Sequence, residues 1–239
     1  MIAAGDLALW ALTSDTKIDQ ARGRVTYGNS AIPKQKVLPV YSARTIFAAW
    51  EKRVILAADL QKAARESRFP GIRRPKRLIS IPESIQDCRD YYEAHLRSAE
   101  KLSVDIETKG SMITCIGFSP SISRALVVPF FSEAAEDGNY WRSPRTEYRA
   151  WCFVRKVLRN VPHTFGQNFQ YDMQYLLLHM GIPCPNFRGD TMLLQHSLQP
   201  ELPKGLGFLA SIYTDEPPWK FMHKSVAGDK QAKRGDGDE

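Results

Sequence analysis

The hydrophobic and polar positions divide the chain into short periodic segments. Residues 3–13 are small and apolar, and VLPVY at 37–41 reads as a short buried strand. From 43 to 68, Ile46, Phe47, Trp50, Val54, Ala57, Leu60 and Ala64 recur at helical spacing. FPGIRRPKR at 69–77 interrupts the pattern with prolines, a glycine and arginines, which is linker composition. A β-prone run at 78–81 follows. A helix is predicted over 82–98, with Glu83 and Asp87 in its early turns, where acids suit the helix dipole. KLSVDIET at 101–108, ITCIGFS at 113–119 and ALVVPF at 125–130 predict three strands in a meander.

The period then lengthens. Residues 145–160 predict an amphipathic helix with Tyr148, Trp151, Val154, Val157 and Leu158 on one side. A short strand ends at Gly166. A helix over 169–180 is stopped by Gly181 and Pro183, and another over 191–198 begins behind Asp190, a good N-cap. Strands first, then alternating helices and strands, predict an α/β domain on a mixed sheet. The polar, Gly/Asp-rich tail at 221–239 is expected to be disordered.

Charge sharpens this division. The chain of 239 residues carries net charge +7, which favours a polyanionic partner such as nucleic acid. Residues 1–100 hold 17 Lys/Arg against 11 Asp/Glu, whereas the remainder is nearly balanced. No apolar run approaches the ~18–20 residues of a membrane span, and the apolar N-terminus lacks the basic lead-in of a signal peptide. Cys88, Cys115, Cys152 and Cys184 form no CxxC pair. Neither a disulfide framework nor a zinc site is expected, and the compartment implied is reducing and cytoplasmic.

Candidate chemistry starts in VDIET. Asp105 and Glu107 are two apart, so on a strand they share one face while Val104 and Ile106 face a core. Neighbouring carboxylates repel unless a cation bridges them, and Mg²⁺ or Mn²⁺ prefers such oxygen ligands. The same alternation also suits a solvated edge strand. Asn168 and Asp172 lie four apart at the start of the 169–180 helix, on a face that Leu176 continues. That acid either aims at a neighbouring sheet or simply complements the helix dipole.

These motifs carry a resemblance. VDIET resembles the first exonuclease motif of the DEDD superfamily, and NFQYD followed by LL resembles the second. DTMLLQHSL resembles a segment that follows in proofreading domains of the DNA polymerase I family, and PELPKGLGFLASIYTDEPPWK is similar to its phage branch. The resemblance spans residues 78–220. It implies a ribonuclease-H-like fold, a mixed five-stranded sheet flanked by helices, acting in DNA replication. It further implies two-metal phosphodiester hydrolysis, with Asp105, Glu107 and Asp172 holding two Mg²⁺ or Mn²⁺ ions about 4 Å apart. A nucleoside monophosphate would leave a single-stranded DNA 3′ end. Asn168, Gln167, Phe169 and Thr108 become substrate contacts by the same resemblance. Tyr171 is a further neighbour of the strand, although its ring suits core packing better, and Asp190 reads as an N-cap rather than a ligand.

The superfamily's fourth acid follows a Tyr or His by four positions. Asp190, Asp215, Asp229, Asp236 and Asp238 instead follow Asn186, Ser211, Ser225, Ala232 and Arg234. The expectation is therefore an incomplete site, which either binds one metal weakly and turns over poorly or is completed by a second polypeptide carrying the missing motif and a polymerase domain. Residues 1–68 resemble the C-terminal part of a uracil-DNA-glycosylase-like domain. There the Tyr41 position is followed by His-Pro, but here by Ser42 and Ala43, which removes the group that steadies the leaving uracil. A single-stranded DNA-end binding module, a fragment that does not fold stably, and a nuclease acting on RNA are the competing readings.

Overall fold

Residues 36 to 40, all buried, set the frame of the N-terminal region. The computed structural model describes residues 1–73 and 76–216. They fall into two compact units: residues 1–73 together with 198–216, and residues 76–197.

In the first unit, β1 (Ile2–Ala4), β2 (Thr26–Tyr27) and β3 (Lys36–Val40) form a sheet in the order β1-β3-β2, with β1 parallel and β2 antiparallel to β3. Helix α1 (Asp6–Thr13) and the short α2 (Ile18–Ala21) contribute Leu9 and Ile18 to a core shared with Tyr41, Ile46 and Ile55. The single helix expected over 43–68 is broken in two. Ser42 caps α3 (Ala43–Ala48) by accepting the Thr45 N–H at 3.2 Å. Ala49 then leaves helical space at φ −146°, and α4 (Arg53–Glu66) starts afresh after a tight turn at Trp50–Lys52. Phe47 and Trp50 are 83% and 60% exposed, because the break rotates α4 to point Ile55, Asp59 and Lys62 inward instead. Part of the expected linker is anchored: the Lys36 ammonium bonds Glu66 at 2.7 Å and sits over the Phe69 ring.

The second unit is a six-stranded mixed sheet, β4 (Leu78–Ser80), β5 (Lys101–Lys109), β6 (Met112–Ser121), β7 (Arg124–Pro129), β8 (His163–Gly166) and β9 (Phe187–Asp190), in the order β4-β7-β6-β5-β8-β9. β5, β6 and β7 are the predicted antiparallel meander, while β4, β8 and β9 join in parallel. The α/β class stands, with one strand more than expected: β9, spelled FRGD, has no apolar alternation to reveal it. Helix α5 (Ile85–Tyr91) opens with a capping box in which Ser84 and Asp87 satisfy each other's backbone N–H groups, so Asp87 does more than complement a dipole. It runs on into a wide turn at Tyr92–Leu96. Helix α6 (Pro144–Asn160) is capped by Ser143 and buries Ala150, Phe153, Val154, Val157 and Leu158. Tyr148, predicted on that side, is exposed, whereas Trp151 stacks on Phe130 with centroids 3.6 Å apart. Leu102, Val104 and Ile106 of β5 join Phe153 and Val157 in one core, which leaves the alternate β5 residues on the other face.

Helices α7 (Phe169–Met180) and α8 (Thr191–Leu198) complete this unit. After them the chain rejoins the first unit. Helix α9 (Leu206–Tyr213) packs on α4, held by a buried charge network. The Arg22 guanidinium grips Asp59 through two bonds, 2.7 and 2.9 Å, and reaches the Ser211 hydroxyl at 3.1 Å. The Lys62 ammonium donates to the carbonyls of Gly23, Ser211 and Thr214 at 2.7 to 2.9 Å. Desolvation by burial pushes the Asp59 carboxyl up and the Lys62 ammonium down. The span expected for one domain, 78–220, is thus divided at residue 198. Residues 217–220 and the tail at 221–239 lie outside the described residues.

Candidate active site

The site forms where β5 outruns β8. The two strands pair in parallel only from Lys101 to Ser103. Beyond that rung the Ile106 N–H needs another acceptor, since a buried backbone donor left unpaired is costly. Asp172 supplies it: its Oδ1 accepts the Ile106 N–H at 2.8 Å. A side chain from α7 thereby takes the place of the missing strand.

Several contacts set α7 in that position. β8 ends at Gly166, where a Cβ would collide with the Phe169 ring, so only glycine permits the close approach. Asn168 turns the chain in a left-handed conformation, φ 54°. Asp190 then accepts from the N–H groups of Asn168, Phe169 and Met192 at 2.9, 2.7 and 2.8 Å. One carboxylate therefore holds the first turns of both α7 and α8, where unpaired N–H groups favour an anion. The predicted capping of α8 is there. The capping of α7 depends on the same Asp190, 22 and 21 positions from the Asn168 and Phe169 N–H groups it accepts from, and no local pattern announces it.

Electrostatics concentrates on Asp172. Burial, reinforced by the negative fields of Asp105 and Asp190, pushes its carboxyl up to about 7, against the opposing pull of the Ile106 N–H. Asp105 and Glu107 lie exposed on the β5 face opposite Val104 and Ile106, as the alternation predicts. At the rim, the Thr108 hydroxyl bonds the Tyr171 phenol at 2.9 Å, and the Tyr175 phenol donates to the Gly110 carbonyl at 3.0 Å. The Gln167 side-chain oxygen accepts from the Thr191 hydroxyl.

Two aromatic expectations exchange places. Phe169, predicted to contact substrate, is completely buried and stacks on Phe187 at 5.5 Å, so its ring is closed to a nucleotide. Tyr171, read from the sequence as better suited to core packing, is 42% exposed beside Thr108. Asn168 is exposed at the head of α7. Among the described residues, no group of three or more His, Cys, Asp and Glu converges to hold a metal ion. The donor chemistry nonetheless fits a hard divalent cation, because Asp105 and Asp172 are oxygen ligands of like charge whose fields overlap. The described residues do not assemble ligands for two ions.

No protein-family model matches this sequence, and no curated protein matches it either. Among solved structures it is similar to Escherichia coli RNase D, described as an exoribonuclease involved in structured RNA processing, at 14% identity and TM-score 0.45 over 62% of this chain and 36% of that one. The Trypanosoma brucei RNase D: GMP complex gives 11% identity and TM-score 0.45 over 66% of this chain and 47% of that one. The EXD2 exonuclease domain soaked in Mg and dGMP gives 14% identity and TM-score 0.36 over 66% of this chain and 86% of that one. The chain spans about a third to a half of the two RNase D chains.

Proposed function

We propose that the second unit is a divalent-metal-dependent nuclease that removes nucleotides from the 3′ end of single-stranded DNA, as a proofreading-type exonuclease does. The observation that carries this reading is Asp172. A buried carboxylate is fixed by a backbone bond, and the field of a second carboxylate, Asp105, adds to the burial that raises its pKa. Asp105 and Asp172 would hold the ion, with Glu107 on the same strand face as an outer ligand. A bound Mg²⁺ or Mn²⁺ would supply a water of lowered pKa and Lewis-acid stabilisation of the leaving oxygen. The chain's own groups position the substrate. Exposed Asn168 offers its amide to the terminal nucleotide, and Tyr171 offers a ring face to a base.

No Asp in the sequence follows a Tyr or His by four residues near this site. A second polypeptide that brings such a pair is proposed to raise turnover. The lack of a converged ligand triad among the described residues favours a second reading, in which the unit holds a DNA end without cutting it. A 5′-labelled single strand incubated with Mg²⁺, Mn²⁺ or EDTA distinguishes the two. Stepwise shortening that needs metal and disappears in Asp105→Ala and Asp172→Asn supports the nuclease. Binding without shortening under every metal condition supports the holding module. Shortening that persists in both variants assigns the activity to other residues.

A further inference from the structure

Helices α5 and α6 lie side by side and leave between them a half-open groove of about 280 Å³. Ile85, Tyr92 and Phe153 make its floor, while Arg89, Arg149 and Lys156 stand around it, and no acid lines it. Arg89 and Arg149 are exposed and form no ion pair or hydrogen bond among the described residues. The Lys156 ammonium lies 4.0 Å over the Tyr92 ring. Of the acids that stand near them in sequence, Asp87 caps α5, Asp90 accepts from the Gln86 amide at 2.8 Å, Glu93 binds Arg97 at 2.7 Å, and Glu147 accepts from Asn139 and Trp151. Helix α6 as a whole, PRTEYRAWCFVRKVLRN, carries five basic residues and a single acid, although the C-terminal part of the sequence is nearly neutral.

We propose that this groove binds the phosphodiester backbone of a nucleic acid. Three cations crowded without an acid repel one another, and an anion relieves that repulsion. Arg149 and Lys156 lie two helical turns apart, about 10 Å along the axis. A single phosphate does not reach both, whereas a backbone with a charge every ~3.4 Å per strand does. Two guanidinium forks suit phosphate oxygens better than ammonium groups alone. The groove is on the helix layer that covers Val104 and Ile106, while Asp105 and Glu107 face the other way from β5. It is therefore a site separate from the carboxylates, for a stretch of strand or duplex away from the reacting end.

The test is equilibrium binding of a long labelled oligothymidylate in EDTA across a salt series, so that cleavage plays no part. The comparison is with the R89E/R149E/K156E variant. Loss of three backbone contacts is expected to flatten the log–log salt slope by about 2 and to weaken binding about ten-fold or more at low salt. The milder R89Q/R149Q variant should show an intermediate slope, and near-UV circular dichroism should show that both variants fold. Unchanged affinity and slope in folded variants overturn the proposal. So does displacement of the oligonucleotide by poly-glutamate at equal charge concentration, which assigns the groove to an acidic protein. Failure of the chain to cut DNA overturns the nuclease reading but leaves this result standing.

Discussion

At the scale of single residues, Asp172 makes stability and proposed function pull in opposite directions. Its folded pKa, about 7, lies above the ordinary carboxylate value of 3.8. The native state therefore holds a proton that the unfolded chain has released between those limits. Stability falls as pH rises through this window, and the penalty is complete above about pH 7, amounting to about 4 kcal/mol at 1.4 kcal/mol per pH unit. In EDTA, Asp172→Asn keeps an oxygen for the Ile106 N–H and removes the charge. Urea denaturation should show it more stable than the parent at pH 8 by about 3 kcal/mol and equal to it near pH 4. Added Mg²⁺ should narrow the gap at pH 8 by stabilising only the parent. The neighbouring aromatics give a second contrast. Tyr171→Ala should weaken single-strand binding by about 1–3 kcal/mol with little loss of stability. Phe169→Ala should cost about 3–5 kcal/mol of stability, read in the same denaturation assay. The sequence reading assigned these two rings the wrong way round. Phe169 and Tyr171 stand two apart at a helix start, and which one turns inward is decided by Gly166 and Phe187, from other strands.

At the scale of elements, the sequence was clearest where burial alternates strictly. In β5, Leu102, Val104 and Ile106 are buried and Asp105 and Glu107 are not, so the strand and its acidic face follow from the pattern alone. The capping signals of Ser84 and Ser143 were equally local. The pattern misled where an apolar repeat ran through a break, as at Ala49, and it was silent for β9, which pairs with β8 through backbone alone. Attachment of α9 to α4 was also unreadable, because it rests on charges far apart in sequence. Asp59 joins Arg22 and lies beside Lys62, all three buried. Replacing Asp59 by alanine leaves the buried Arg22 without its carboxylate, and Lys62 with the field of Asp215 alone, and should cost about 3–5 kcal/mol. A urea titration of the full chain reads this loss, and unchanged stability would show that the network contributes nothing.

At the scale of the whole molecule, the two units divide chemistry between them. The second carries the carboxylate site and the basic groove. The first ends its β3 strand at Tyr41, whose hydroxyl bonds Asp19, and commits the following Ser42 to capping α3. Among the described residues no helix is long and apolar enough to cross a membrane. Each unit has its own core, and for the second this core formed largely as the meander and the amphipathic α6 foretold. The first could not be delimited from sequence, since it is not one continuous stretch.

That discontinuity has a consequence for how the protein is made. Lys62 bonds the Thr214 carbonyl, 152 residues further on. A ribosome adding roughly 5–20 residues per second emits that partner about 8–30 s after Lys62. During this interval the second unit is synthesised in full, and the first waits with two cations and an acid lacking their cover. The intervening unit can thus mature while its host remains open, and any pause in translation before residue 214 lengthens the exposure of the unfinished half to chaperones and proteases.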